Sequence, residues 1–288
     1  MTSSTDQTPE NTIAYQGVPG AYSHLACQQR FPEMNTLANP SFENMLARVT
    51  DGDAKYAMVP VENSVAGRVA DIHHLLPSSG LYIVGEHFQR VNHHLLGVKG
   101  STIADLNEVH SHAQGLAQCR NALNDMNLTP IMHPDTAGAA ADIAAAGDKS
   151  VGAIASSLAG EIYGLDVLKA NLEDQDHNTT RMLIMARAPE MPPQDHDSVI
   201  TTLIFSLRST PAALYKALGG FATNGINLTK LESYILGGTF SAAQFYIDAE
   251  CHQDSEAFHY AIEELKYFTQ EGSIKIMGTY SADSTRRG

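Results

Sequence analysis

The sequence predicts an α/β fold followed by a second, smaller α/β module. Two observations predict it. From Thr12 to about Arg187, short apolar runs alternate with helical patterns, as strand–helix units around a mostly parallel sheet do. Beyond a proline-rich stretch at 188–198, the order becomes strand–helix–strand–strand–helix–strand, the ferredoxin-like βαββαβ pattern.

The elements follow in order. Thr12–Gln16 reads as a strand, followed by a Gly17-Val-Pro-Gly20 turn and an amphipathic helix near 21–31. Ser41 is placed to cap a helix that reaches about Val49. Tyr56–Val61 reads as a buried strand and Ser64–Leu76 as a helix. Leu81–Val98 reads as one or two strands broken near the paired histidines. Strands at Glu108–His110, 129–132 and 151–154 alternate with helices at 112–124, 136–146 and 156–163, and Thr180–Ala186 is the last strand. Residues 188–198, with three prolines and no apolar period, read as a linker.

In the second module, Val199–Leu207 is a strand. Thr210 is an N-cap candidate with Pro211 at the first helical position, and Asn224-Gly225 ends that helix after about Thr223. Strands at 227–236 and 240–249 join through Gly237-Gly238. A helix at 254–270 and a strand at 273–280 complete the module. Residues 1–11 are expected to be disordered, and 281–288 to form a tail.

Composition narrows the function. With 288 residues, 43% hydrophobic and only 17% charged, the chain can bury a sizeable core. Its 18 basic and 32 acidic residues give a net charge of −14, which disfavours nucleic acid and anionic membranes as partners. An anionic substrate would therefore need a local pocket of hydrogen-bond donors. Cys27, Cys119 and Cys251 are odd in number and lack a CxxC, which reads as reduced thiols and a cytoplasmic setting. No leader, anchor or membrane span is expected.

Four polar constellations stand out. Glu62-Asn63-Ser64 directly follows a buried strand, where ligands bind in open α/β sheets, and Asn63 or Ser64 could equally cap a helix. Ser111-His112-x-Gln114-x-x-x-Gln118 opens a helix with both glutamines on one face, and Ser111 could cap it. Asp135-Thr136 opens an alanine-rich helix, with capping the simple reading. Asn178-Thr179-Thr180-Arg181 starts a strand and offers a hydroxyl and a guanidinium fork. The histidine pairs 73–74 and 93–94, and His110 with His112, lack metal-ligand spacing, so no metal is expected. Gly17-x-x-Gly20 is not a nucleotide-binding loop.

Taken in order, these motifs resemble the prephenate dehydratase family. The resemblance spans about residues 12–280. It is carried by Tyr-Gln-Gly-x-x-Gly-Ala-Tyr-Ser (15–23), Val-Pro-Val-Glu-Asn-Ser-x-x-Gly-x-Val (59–69) and His93 before Leu95-Leu96. Ser-His-x-Gln-x-Leu-Ala-Gln-Cys (111–119), Thr136-Ala137 and Asn-x-Thr-Arg (178–181) continue it. The C-terminal part is similar to an ACT domain, with Pro-Ala-Ala-Leu-Tyr-x-Ala-Leu (211–218) and Asn-Leu-Thr-Lys-Leu-Glu-Ser (227–233). The chain departs from the family at Ala113, at Met182 in place of phenylalanine, at Ala212 in place of glycine, and at Tyr234-Ile235 in place of Arg-Pro.

The resemblance implies a two-lobed catalytic domain at 12–187, resembling type II periplasmic-binding architecture, and an ACT regulatory domain at 199–280. It implies conversion of prephenate to phenylpyruvate, carbon dioxide and water, with no cofactor. Thr180 and Glu62 become the catalytic candidates, with Glu62 the acid if burial keeps it protonated. Asn63, Ser64, Ser111, Gln118, Thr136 and Arg181 become the substrate-binding candidates. L-phenylalanine is the implied effector, with Pro211, Ala212, Ala213, Leu214, Asn227, Leu228, Glu232 and Ser233 as its candidate site in a homodimer or homotetramer. The alternatives are a preference for arogenate and a non-catalytic amino-acid-sensing binding protein.

Overall fold

The computed structural model describes residues 8–235 and 243–287. It divides into two compact units. One comprises the residues up to Ala70 together with His87–Met182; the other comprises Asp71–Glu86 together with the residues from Leu183 onward. The division thus falls before the expected boundary at 187, and it places 71–86 with the C-terminal part. Residues 188–198 contain no helix or strand.

The first unit begins with a 3₁₀ turn at Pro9–Asn11, so the stretch expected to be disordered is ordered at least there. It continues with β1 (Thr12–Gln16), α1 (Tyr22–Arg30), β2 (Asn35–Asn39), α2 (Phe42–Thr50) and β3 (Tyr56–Asn63). The Ser41 side chain accepts the Asn44 N–H and caps α2 as the sequence suggested. Ser64–Leu76 is not one helix. Asn63 Oδ1 accepts the N–H groups of Val65 and Ala66, a turn that the asparagine side chain closes in competition with helix. A short strand, β4 (Gly67–Arg68), then pairs back on β3, and α3 spans only Ala70–Leu75.

The chain proceeds through β5 (Tyr82–Arg90), β6 (His94–Gly97), β7 (Glu108–Ser111), α4 (Ala113–Gln118) and α5 (Arg120–Asp125). The helix expected at 112–124 is therefore two helices, meeting at Cys119, and His112 rather than Ser111 caps the first. Next come β8 (Thr129–Met132), α6 (Thr136–Ala146), β9 (Val151–Ala155), α7 (Ser157–Tyr163), β10 (Asp166–Lys169) and β11 (Thr179–Ala186). β2 and β10 carry weak patterns, because most of their residues are polar or half-exposed, and the sequence reading had no strand there.

One sheet has the order β2-β1-β3-β11-β5, and another has β10-β6-β9-β7-β8. Both are mixed rather than mostly parallel. β1 runs parallel to β2 and β3, and β7 to β8 and β9, whereas β4 is antiparallel to β3, and β6 to β9 and β10. Around the second sheet, Leu95, Val109, Leu116, Cys119, Leu123 and Ile154 pack on one side. Leu96, Ala137, Ala140, Ile143, Ala153 and Ala159 form a second cluster. Burying a leucine or isoleucine contributes about 1.5–3 kcal/mol, so these clusters fix where each strand end falls.

In the second unit, β12 (Val199–Ser206), α8 (Ala213–Thr223), β13 (Leu228–Ile235), β14 (Ala243–Ala249), α9 (Glu256–Lys266) and β15 (Lys275–Ser281) realise the βαββαβ order. The sheet order is β13-β14-β12-β15, antiparallel throughout. Phe205, Phe221, Ile247, Phe258 and Leu265 fill the core between this sheet and its helices. Thr210 does not cap α8; Ala212 stands at the N-cap in the left-handed region, φ 59°. The expected Gly237-Gly238 turn lies outside the described residues. Two contacts tie residues 71–86 to this unit. The Tyr234 hydroxyl lies 2.7 Å from His73 Nδ1, and Lys275 donates to the Pro77 carbonyl.

Candidate functional site

A cavity of 260 Å³ in the first unit gathers polar side chains from several elements: Asn63, His93, Gln114, Gln118, Thr136 and Thr180 among them. It forms where β3 and β11 meet. Ser64 holds the two strands there: its N–H donates to the Thr179 carbonyl, the Thr179 N–H donates to Ser64 Oγ, and that hydroxyl donates to the His177 carbonyl. This fastening sets Thr180 beside Asn63.

Asn63 Nδ2 donates to Thr180 Oγ1 at 2.9 Å and to Asn178 Oδ1 at 2.8 Å. With its oxygen already accepting an N–H, the Thr180 hydroxyl keeps its own hydrogen for another acceptor. Asn178, only 1% exposed, passes the chain on, donating through Nδ2 to Gln118 Oε1 at 2.9 Å. Strand alternation puts Thr180 and Met182 on the cavity wall and turns Arg181 to the other face.

Of the eight substrate-binding and catalytic candidates, the structure brings Asn63, Gln118, Thr136 and Thr180 to the cavity. The other four are placed elsewhere. Arg181, 3% exposed, donates to Glu62 Oε1 at 3.1 Å, and neither residue lines the cavity. Glu62, the expected acid, and Arg181, an expected anchor, are thus paired with each other and are not among the residues that line this cavity. Ser111 is fully buried and donates to the Ile154 carbonyl at 2.6 Å, fastening β7 to β9. Ser64 fastens the strands as described above. Nor does a helix N-terminus lie behind Glu62-Asn63-Ser64.

The remaining local readings hold. Gln114 and Gln118 both face the cavity from α4. Asp135 caps α6 by accepting the Gly138 N–H, leaving Thr136 on the cavity wall. Gly115 gives this corner its room: a Cβ there would stand 3.1 Å from Ser111 Oγ and 3.6 Å from His93 Cε1. Asn178 and His93 are members of the polar group to which the sequence reading gave no role. Asn178 was quoted within its motif, yet its partners lie 60 and 115 positions away, beyond any spacing signal.

In the second unit, a pocket of 300 Å³ is lined by Arg208, Thr210, Ala212, Ala213, Leu214 and Phe245, among others. Of the effector candidates it gathers Ala212, Ala213 and Leu214. Asn227 instead donates to Glu250 at 2.7 Å, and Lys230 lies 3.4 Å from Glu232.

The sequence model described as prephenate dehydratase matches residues 13–190. The chain is 49% identical over 278 residues to a bifunctional N-acyl-homoserine lactone acylase/prephenate dehydratase of Komagataeibacter europaeus, covering 96% of this chain and 98% of that protein. It is 39% identical over 288 residues to the chloroplastic arogenate dehydratase/prephenate dehydratase 1 of Arabidopsis thaliana, covering 95% of this chain and 73% of that one. A solved prephenate dehydratase from Arthrobacter aurescens in complex with L-Phe superposes with a TM-score of 0.85 at 26% identity, over 94% of this chain and 90% of the other. Among the described residues, no helix is long and apolar enough to cross a membrane.

Proposed function

Because this chain belongs to the prephenate dehydratase family, we propose that it converts prephenate to phenylpyruvate, carbon dioxide and water in phenylalanine synthesis. The observation that carries this reading is the Thr180 hydroxyl, held by Asn63 with its hydrogen left to donate, in a cavity whose lining includes the amides of Gln114 and Gln118 and the hydroxyl of Thr136. In the reaction the ring carboxylate departs as carbon dioxide, its bonding pair enters the ring, and the ring hydroxyl leaves as water. The dianion takes up one proton in doing so. Thr180 donates a hydrogen bond to the leaving hydroxyl. Neither a threonine hydroxyl nor a neutral water is acid enough to yield the proton outright, and Glu62 is bound to Arg181, so the proton comes from the medium, with water and the Thr180 hydroxyl only relaying it to the leaving hydroxyl. Gln118 and Thr136 bind the substrate's oxygen atoms, and Asn63, whose two N–H donors go to Thr180 and Asn178, holds Thr180 in place. Ser64, Ser111 and the Glu62–Arg181 pair keep the strands in register.

The C-terminal βαββαβ module is read as an ACT domain that binds L-phenylalanine in a homo-oligomeric, cytoplasmic enzyme. Support comes from the pocket at Ala212–Leu214 and from the L-Phe complex of the Arthrobacter protein.

Two relatives favour second substrates. One is named for arogenate, the amino analogue of prephenate, and the other for an acyl-homoserine lactone. The test is phenylpyruvate formation from prephenate by purified protein, with and without phenylalanine, beside parallel assays on arogenate and on an N-acyl-homoserine lactone. Turnover of prephenate suppressed by phenylalanine supports both halves of the reading. Turnover without suppression removes the effector. Turnover of arogenate alone transfers the assignment, and a folded protein inert on all three substrates supports a sensing protein instead.

A further inference from the structure

The amide chain beside Thr180 has a direction, and that direction can be read from its fixed end. Asn63 Oδ1 accepts two backbone N–H groups, which can only donate. Its Nδ2 must therefore face Thr180 and Asn178. Asn178 in turn presents Oδ1 to Asn63 and Nδ2 to Gln118, so Gln118 presents Oε1. That oxygen also lies 2.8 Å from His93 Nε2. An amide oxygen cannot donate, so this 2.8 Å contact is a hydrogen bond only when His93 carries a hydrogen on Nε2.

From this geometry we infer that His93 is a positioning residue for Thr180. Its Nε2–H sets the orientation of Gln118 and, through Asn178 and Asn63, holds the Thr180 hydroxyl hydrogen toward the cavity. The inference rests on the dehydratase reading above for its kinetic part only.

The surroundings of the ring fit this role. His93 is 2% exposed, and burial lowers its pKa, which keeps the ring neutral with one hydrogen to place. Nδ1 then accepts. It faces the Tyr22 hydroxyl at 2.9 Å, and that hydroxyl also lies 2.8 Å from the Asn92 carbonyl. Burial keeps the Tyr22 phenol protonated, so one hydrogen serves these two acceptors. Glu173 accepts the backbone N–H of His93 at 2.8 Å, fixing the main chain beneath the ring. The other titratable neighbour is His94, itself shifted down by burial. If the hydrogen sat on Nδ1 instead, Gln118 would have to turn its amide, Asn178 would follow, and Asn63 would be pulled from Thr180 or from its own turn.

Two measurements test this. The ¹⁵N shifts of the His93 ring in the wild-type protein report the tautomer whatever the substrate. A protonated Nε2 is expected; a bare Nε2 overturns the inference. Kinetics on prephenate then compare His93→Gln, which can place an N–H near the Nε2 position, with His93→Leu, which cannot. His93→Leu should lower kcat by about tenfold, the effect of one misdirected hydrogen bond, with KM little changed. His93→Gln should recover most of it, and His93→Leu should add little in an Asn178→Ala background. Equal loss in both single variants, or no loss in His93→Leu, overturns the inference while the enzyme stands. A wild-type protein without turnover refutes the dehydratase reading and leaves the tautomer to be judged by the ring shifts.

Discussion

Arg181 donates to Glu62 across 3.1 Å on the strand face turned away from Thr180. Adjacent residues of one strand thus do different work, one toward a cavity and one toward the framework. Thr180→Ala should lower kcat on prephenate by roughly 10²–10³-fold, the usual effect of losing one preorganised donor, with an unchanged unfolding midpoint in urea. Thr180→Ser should retain much of the activity. Arg181→Met should do the reverse first: it should lower stability by about 1.5–3 kcal/mol, the worth of a charged hydrogen bond. If Arg181→Met were fully stable and inactive, Arg181 would have to reach substrate directly.

Within the C-terminal stretch, Arg286 clasps two acidic side chains. Arg286 donates to both oxygens of Glu86, at 2.6 and 2.9 Å, and lies 3.5 Å from Asp248; both carboxylate side chains are fully buried. Thr202 donates to Asp248 from below, at 2.6 Å. Arg286→Ala removes a cation from between two buried acids. Breaking a buried pair in this way costs about 3–5 kcal/mol, which urea denaturation should read. Arg286→Lys, without the planar fork, should recover only part.

Ala212 occupies left-handed backbone at φ 59°, where a Cβ is strained. Ala212→Gly relieves that strain and gives back part of the gain as unfolded-state entropy. The expected result is a stabilisation of about 0.5–1 kcal/mol. Ala213→Gly, one position into the helix, should instead cost about 1 kcal/mol. A matched loss in both variants would show that Ala212 is not strained.

Burial lowers the pKa of His24, His93 and His94. A histidine with a depressed folded pKa contributes stability that is present above its unfolded value of about 6.5 and is lost as pH falls below it. The unfolding midpoint should therefore fall between pH 7.5 and pH 5.5. His24 is one identifiable source, since its Nδ1 accepts the Gly20 N–H at 3.0 Å and cannot do so once protonated. His24→Gln should flatten part of the slope; an unchanged slope would place the effect elsewhere.

The local signals carried much of the fold. Continuous apolar runs such as Tyr56–Val61 and capped helices such as the one after Ser41 depend on neighbours a few residues away, so the sequence displays them. Ser64–Leu76 failed because the Asn63 side chain closes a turn in place of the first helical turn, and that competition is not visible as periodicity.

By itself, the sequence determined the α/β order of the chain, the βαββαβ module, the family and the motifs at which polar residues collect. The tertiary structure decided which members of those motifs share a cavity. Thr180 faces it and Arg181 does not, because strand pairing selects the face, and Asn178 becomes the link between Asn63 and Gln118 only when β3, β11 and α4 meet. Such contacts join residues far apart in the chain, and their geometry is set by the packing of whole elements, which no local pattern of residues encodes.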